Sequence, residues 1–282
     1  MQANEKRITE YLEVAGGRIA FDDTKTVGPL IVCVPGLGDV RASYRFLVPQ
    51  LVAAGYRVVT MDLRGHGESS VGWSDYSDTA VAGDVVALVR LLNAGPAILI
   101  GNSYGGAAVA YAAATEPSAV AGLVLLDAFV RDIPQGAFQR LGVWAVAHMG
   151  ASAWMSYYKS LYKTTPPADL NDYNKALTAN LKQPGRYDAV NAMMVASHAA
   201  IEPRLAEIKA STLIVVGSQD PDFPDPAGEA RLIGEKLTSV ANKQVEMIEG
   251  AGHYPHAEKP EQVLAVLLPF LQSLREDAHH DA

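Results

Sequence analysis

The chain alternates short apolar runs with helix-patterned segments, and that alternation breaks only once. The runs at residues 30–34, 97–100, 120–126 and 212–216 are apolar or β-branched and strand-length; 57–61 follows that pattern after Arg57, and 244–248 sets Val245, Met247 and Ile248 around Gln244 and Glu246. Helical spacing fills 41–54, 79–92, 104–115, 227–237 and 261–274, and Gly16-Gly17 separates two runs (8–14 and 18–22) that predict an opening hairpin. Strands that are apolar throughout must be covered on both faces. The pattern therefore predicts an α/β fold, a mainly parallel central sheet flanked by helices. Between 128 and 210 the sequence is helical in pattern, rich in Trp, Tyr, Met and Ala, and lacks a convincing strand. The expected division is a core of 1–127 and 211–275, a helical cap of 128–210, and a flexible tail of 276–282.

With 282 residues the chain is long enough for one large α/β domain. A net charge of −8 repels phosphate backbones and anionic lipid, so nucleic acid is not the expected partner. Residues 1–10 lack the apolar region of a secretory signal, and the apolar stretch 141–155 contains His148 and is short for a membrane span. A cytoplasmic protein without membrane insertion, acting on a small-molecule substrate, is expected. The single cysteine, Cys33, sits in an apolar run and reads as a core thiol.

In such sheets ligands sit beyond the carboxyl ends of the strands, so the turns after strands carry the chemical information. The first is Gly101-Asn102-Ser103-Tyr104-Gly105-Gly106, between a strand and a helix. Bare G-x-S-x-G arises by chance in roughly one chain in ten of this length. Its strand-turn-helix setting gives it meaning: a sharp turn exposes the central side chain, and the flanking positions crowd together and require glycine. The helix N-terminus behind Ser103 offers partial positive charge to an oxyanion.

The second turn, Gly217-Ser218-Gln219-Asp220-Pro221-Asp222, supplies carboxylates that can orient an imidazole. Asp220 lies nearest the strand end; Asp222 and Asp225 are rivals, and Asp127 after another strand is an alternative acid. The third turn, Gly250-Ala251-Gly252-His253-Tyr254-Pro255-His256, places His253 on a glycine-flanked loop, with His256 as its rival. No His/Cys cluster suggests a metal. The order Ser103, Asp220, His253 is the one expected of an α/β-hydrolase triad.

Further segments carry a resemblance. Asp62-Leu63-Arg64-Gly65-His66-Gly67-Glu68-Ser69, the Ser103 turn, and Gly252-His253 with Glu258-Lys259-Pro260-Glu261 resemble loops of the α/β-hydrolase superfamily, in its serine-nucleophile, esterase-like members. The resemblance spans about residues 10 to 275. It implies an oxyanion hole from the N–H groups of Leu37 and Tyr104, although Pro35-Gly36 stands where many relatives have His-Gly. It implies a structural role for Arg64 and His66. It also implies a serine hydrolase cleaving a carboxylic ester of a small, largely apolar substrate through an acyl-enzyme, without cofactor or metal. Hydrolysis of a carbon–carbon bond in ring-fission-type diketo substrates is the alternative, since Gly-Asn-Ser-aromatic-Gly-Gly is similar to elbows of such hydrolases; Tyr254 stands where those often carry Trp. A ligand receptor with little turnover is a third reading. Trp144, Met149 and Trp154 are the expected pocket residues of the cap, joined by Met155, Tyr157, Tyr158 and Met193; the low charge around them equally suits a homodimer contact.

Overall fold

The computed structural model describes residues 8–133 and 144–280. One eight-stranded sheet runs β1 (Thr9–Val14), β2 (Gly17–Asp23), β4 (Arg57–Met61), β3 (Leu30–Val34), β5 (Ala97–Asn102), β6 (Val120–Leu126), β7 (Thr212–Gly217) and β8 (Lys243–Ile248) in spatial order. The β1–β2 hairpin is antiparallel and β2 joins β4 antiparallel; every pairing from β4 to β8 is parallel.

Alternation along each strand explains why the central runs are apolar throughout. Leu30, Val32, Val34, Leu99, Leu123, Leu125, Ile214 and Val216 enter one core. Their neighbours Ile31, Cys33, Ile98, Ile100, Val124, Leu126, Leu213 and Val215 enter the core on the opposite face. Helices α2 (Asp78–Leu92) and α3 (Tyr104–Thr115) supply the first core, with α7 (Pro226–Lys236). Helix α1 (Val48–Ala53) and the last helix, α8 (Pro260–His280), cover the second. Cys33 is fully buried there, and burial pushes its thiol pKa up, as a core role requires.

Three expectations need revision in detail. The segment 41–54 is not one helix: a 3-10 turn at Arg41–Tyr44 precedes α1, because Pro49 lacks an N–H and favours a fresh helix start. Helix α8 continues to His280, so residues 276–280 are helical rather than a loose tail; Gln272 and Glu276, one turn apart, are hydrogen-bonded at 3.0 Å. Residues 134–143, the start of the expected apolar cap stretch among them, lie outside the described residues.

Between β6 and β7 stand α4 (Ala151–Ser160), α5 (Leu170–Leu181) and α6 (Arg186–Met194), with no strand among the described residues. They build a third apolar cluster from Trp154, Tyr158, Leu161, Leu177, Leu181 and Val190, which also takes in Tyr254 beyond β8. Among the described residues, no helix is long and apolar enough to cross a membrane.

Candidate active site

Strand order reverses direction at β3, whose neighbours are β4 on one side and β5 on the other. Loops leaving β3 and β5 therefore diverge and open a crevice at their carboxyl ends. Ser103 follows β5 at that point, with φ 53° and ψ −118°, a backbone conformation costly for any residue with a Cβ. The surroundings over-determine it. Ser103 N–H donates to Leu126 O at 2.9 Å, and its carbonyl accepts from Ala107 and Phe129 N–H at 3.2 Å. A Cβ on Gly105 would lie 2.4 Å from the Val34 and Pro35 carbonyl oxygens, so glycine is what lets the turn approach β3 this closely.

The structure joins two of the three predicted side chains directly. His253 Nδ1 lies 2.7 Å from Asp220 Oδ2, both buried. Ser103 is tied to the histidine loop through its neighbour: Asn102 Nδ2 donates to Leu126 O and to His253 O, each at 3.1 Å. Among the described residues no hydrogen bond links Ser103 Oγ to His253. In unliganded sites that bond is often long and tightens only with substrate.

Asp127 does not contact His253 as its acid. Its Oδ1 accepts from Gly217 N–H at 2.9 Å, and its backbone takes φ 44°. Asp127, Asp220 and His253 bring one ligand-type atom each within 4.8 Å of one another. Asp220 and His253 are bonded to each other and Asp127 Oδ1 to Gly217, while Asp127 Oδ2 is buried with no N–H or hydroxyl partner among the described residues. Burial, then the Asp220 charge and a hydrogen bond with Asp220, drive the Asp127 carboxyl well above the carboxylate range and favour its neutral form. Burial also works against Asp220 ionising, but the His253 charge and the hydrogen bonds from His253 and Asp127 bring its pKa below the ordinary value. Burial disfavours imidazolium at His253, yet Asp220 and Asp222 outweigh it and lift the pKa to about 9.

Asp222, set aside on sequence grounds, stands on the other side of the ring. Its Oδ2 is 3.8 Å from His253 Nε2, and its Oδ1 accepts a hydrogen bond from Tyr157 of α4. Nothing local marks it out; its partner is 65 residues away.

The loop after β3 is held from two directions. His66 Nε2 accepts from Gly38 N–H at 3.0 Å while Nδ1 donates to Arg64 O at 2.8 Å, and burial lowers its pKa to about 4, so the ring stays neutral. Arg64 pairs with Asp84, in line with its structural role. From the insertion, Tyr158 and Tyr173 donate to the Asp39 carboxylate, and Trp154 packs where a Cβ on Gly38 would sit. Burial lifts Asp39 to about 6 against those donors. Tyr104 is the first residue of α3, and neither its N–H nor that of Leu37 meets an acceptor among the described residues. Such helix-start donors have no partner within the helix.

Of the expected pocket residues, Trp154 is buried against this loop. Trp144 and Met149 are not: they are 57% and 70% exposed, and Trp144 stacks on His148 instead. Helical spacing alone gave no means of telling the inward face of 144–149 from the outward one.

The family model described as alpha/beta hydrolase family matches residues 31–266. The chain belongs to the α/β-hydrolase family. This α/β hydrolase is 28% identical over 245 residues to the AB hydrolase superfamily protein YisY of Bacillus subtilis, covering 82% of this chain and 87% of that one. It is 26% identical over 267 residues to the sn-1-specific diacylglycerol lipase ABHD11 of Xenopus laevis, covering 89% and 82%. Among solved structures, an esterase from Thermogutta terrifontis superposes with a TM-score of 0.75 at 22% identity, covering 95% of this chain and 99% of that one. A meta-cleavage product hydrolase from Pseudomonas fluorescens does so at 0.77 and 18%, covering 94% and 97%. At these identities the structural likeness speaks for the fold.

Proposed function

We propose that this α/β hydrolase is a serine hydrolase that cleaves a carboxylic ester of a small, largely apolar substrate. His253 Nε2 takes the Ser103 proton as Oγ attacks the ester carbonyl. The N–H groups of Leu37 and Tyr104 receive the oxyanion. The imidazolium returns the proton to the leaving alcohol, and water, activated by the same imidazole, releases the acyl group from Ser103. Asp220 fixes the Nδ1–H tautomer and offsets the imidazolium charge. The observation that carries the reading is the buried Asp220–His253 pair, 2.7 Å apart, beside a serine held at φ 53° at the switch point of the sheet.

Fluorophosphonate labelling of the wild type, Ser103→Ala and His253→Ala tests it, together with turnover of p-nitrophenyl esters of increasing acyl length. We expect labelling and turnover in the wild type, and a loss of about 10³-fold or more in both variants. Labelling that survives Ser103→Ala overturns the nucleophile. Labelling without ester turnover favours carbon–carbon hydrolysis or ligand reception.

A further inference from the structure

Asp222 occupies a place that the acyl-transfer reading leaves unused. Nε2 is the nitrogen that hands the proton to the leaving alcohol, so a carboxylate oxygen 3.8 Å from it borders the leaving group rather than the acyl group. Tyr157 fixes the other oxygen of that carboxylate and keeps it from turning fully onto the ring.

Asp220 stands 2.7 Å from one nitrogen of the His253 ring and Asp222 3.8 Å from the other, two carboxyl groups to one imidazole; burial raises the Asp222 pKa, while the His253 charge and the Tyr157 hydroxyl favour its ionised form. The remaining cation acting on Asp222 is Lys163, whose side chain belongs to an exposed residue and is screened by water. Aromatic rings stand beside the imidazole and beside Tyr157. The Phe129 ring centroid lies 5.7 Å from that of His253 and 5.0 Å from that of Phe223. Trp154 lies 5.6 Å from Tyr157. A carboxylate among aromatic rings is the combination that attracts an organic cation, through charge and through the ring quadrupoles.

We propose that Asp222, positioned by Tyr157, is a specificity residue that favours esters whose leaving alcohol carries an ammonium group and disfavours those whose leaving alcohol carries a carboxylate. This rests on Ser103 acyl transfer. A cationic leaving group offsets the carboxylate charge beside Nε2, whereas an anionic one adds to it.

The test compares kcat/KM for three butyrate esters: of choline, of 3,3-dimethylbutanol (the uncharged isostere) and of 4-hydroxybutanoate. We expect the choline ester to exceed its isostere by about tenfold, in the range of one partly desolvated cation contact, and the anionic ester to fall below both. In Asp222→Asn the choline-to-isostere ratio collapses toward one; in Tyr157→Phe it falls part of the way. Choline should also inhibit the wild type more strongly than 3,3-dimethylbutanol, and Asp222→Asn should erase that difference. Fluorophosphonate labelling of each variant reports that it is folded. A wild-type ratio near one, or a ratio unchanged in Asp222→Asn, overturns the proposal while ester turnover leaves the acyl-transfer reading standing. Absence of turnover on all three esters overturns both.

Discussion

Asp127 and Asp220 leave adjacent strands with their carboxyl groups close together, and their surroundings push Asp127 toward the neutral form and Asp220 toward the charged one. That difference has a consequence for mutagenesis. Asparagine at 127 keeps both functions of a neutral acid, since its oxygen still accepts from Gly217 and its amide can donate to Asp220. Leucine keeps the volume and removes both. Asp127→Leu should therefore reduce kcat by about 10- to 100-fold, the worth of a hydrogen bond to a buried charge, and Asp127→Asn by far less. An Asn variant as damaged as the Leu variant would mean that Asp127 acts as a charge.

His253, lifted to about 9, must lose its proton before it can act as a base. The pH profile of kcat/KM should rise with pH and reach its midpoint near 9. Asp222→Asn removes one of the two anions that raise this pKa, so its midpoint should move down by about one pH unit or more. A profile that is flat between pH 6 and 9 would show that His253 is neutral throughout. The turns that carry Ser103, Asp220 and His253 were readable in the sequence because glycine-rich turns after strands mark where a chain can bend and expose a side chain. The contacts of Asn102, Asp127 and Asp222 were not readable there, because they depend on distant partners: the Asn102–His253 bond spans 151 residues.

The strands were legible for a simple reason. The central strands, covered on both faces, are apolar for most of their length, so these runs announce themselves, and the observed bounds of β6 are those expected. Helices reveal only one buried face, and the inserted ones reveal least, since α4 to α6 bury residues against loops that belong to other parts of the chain. The loop after β3 shows what that costs. Nothing in the sequence marks Asp39, yet it receives hydroxyls from α4 (Tyr158) and α5 (Tyr173) and lies two residues after Leu37. The double variant Tyr158→Phe/Tyr173→Phe should lower kcat on p-nitrophenyl butyrate by about tenfold or more, with a smaller change in KM, because the buried carboxylate loses the donors that keep it in place. An effect confined to KM would assign these tyrosines to substrate contact instead.

For the molecule as a whole, buried neutral histidines make acid the destabilising direction. His256 stacks on Tyr44 with both ring nitrogens unpartnered among the described residues, and burial, then Arg45 and His253, lower its pKa to about 3. The unfolded chain protonates this ring below about 6.5 and the folded one does not, so stability falls as pH drops from 6.5 toward 3. At pH 4 the penalty is about 3 kcal/mol. His256→Phe keeps the stacked ring and removes the proton site. Its melting temperature should exceed that of the wild type by a margin that widens from pH 7 to pH 4. An equal margin at both values would locate the effect in packing alone.

The grip of the insertion on Asp39 sets a rule for evolution and for engineering. Exchanging residues 128–210 for those of a relative would change more than the insertion itself. It would take away the two hydroxyls and the indole that hold the segment around Leu37, so the recipient would lose turnover even on substrates small enough to fit any cap. Chimaeras between relatives should work when position 39 travels with the insertion, and a lineage that remodels one is under pressure to remodel the other.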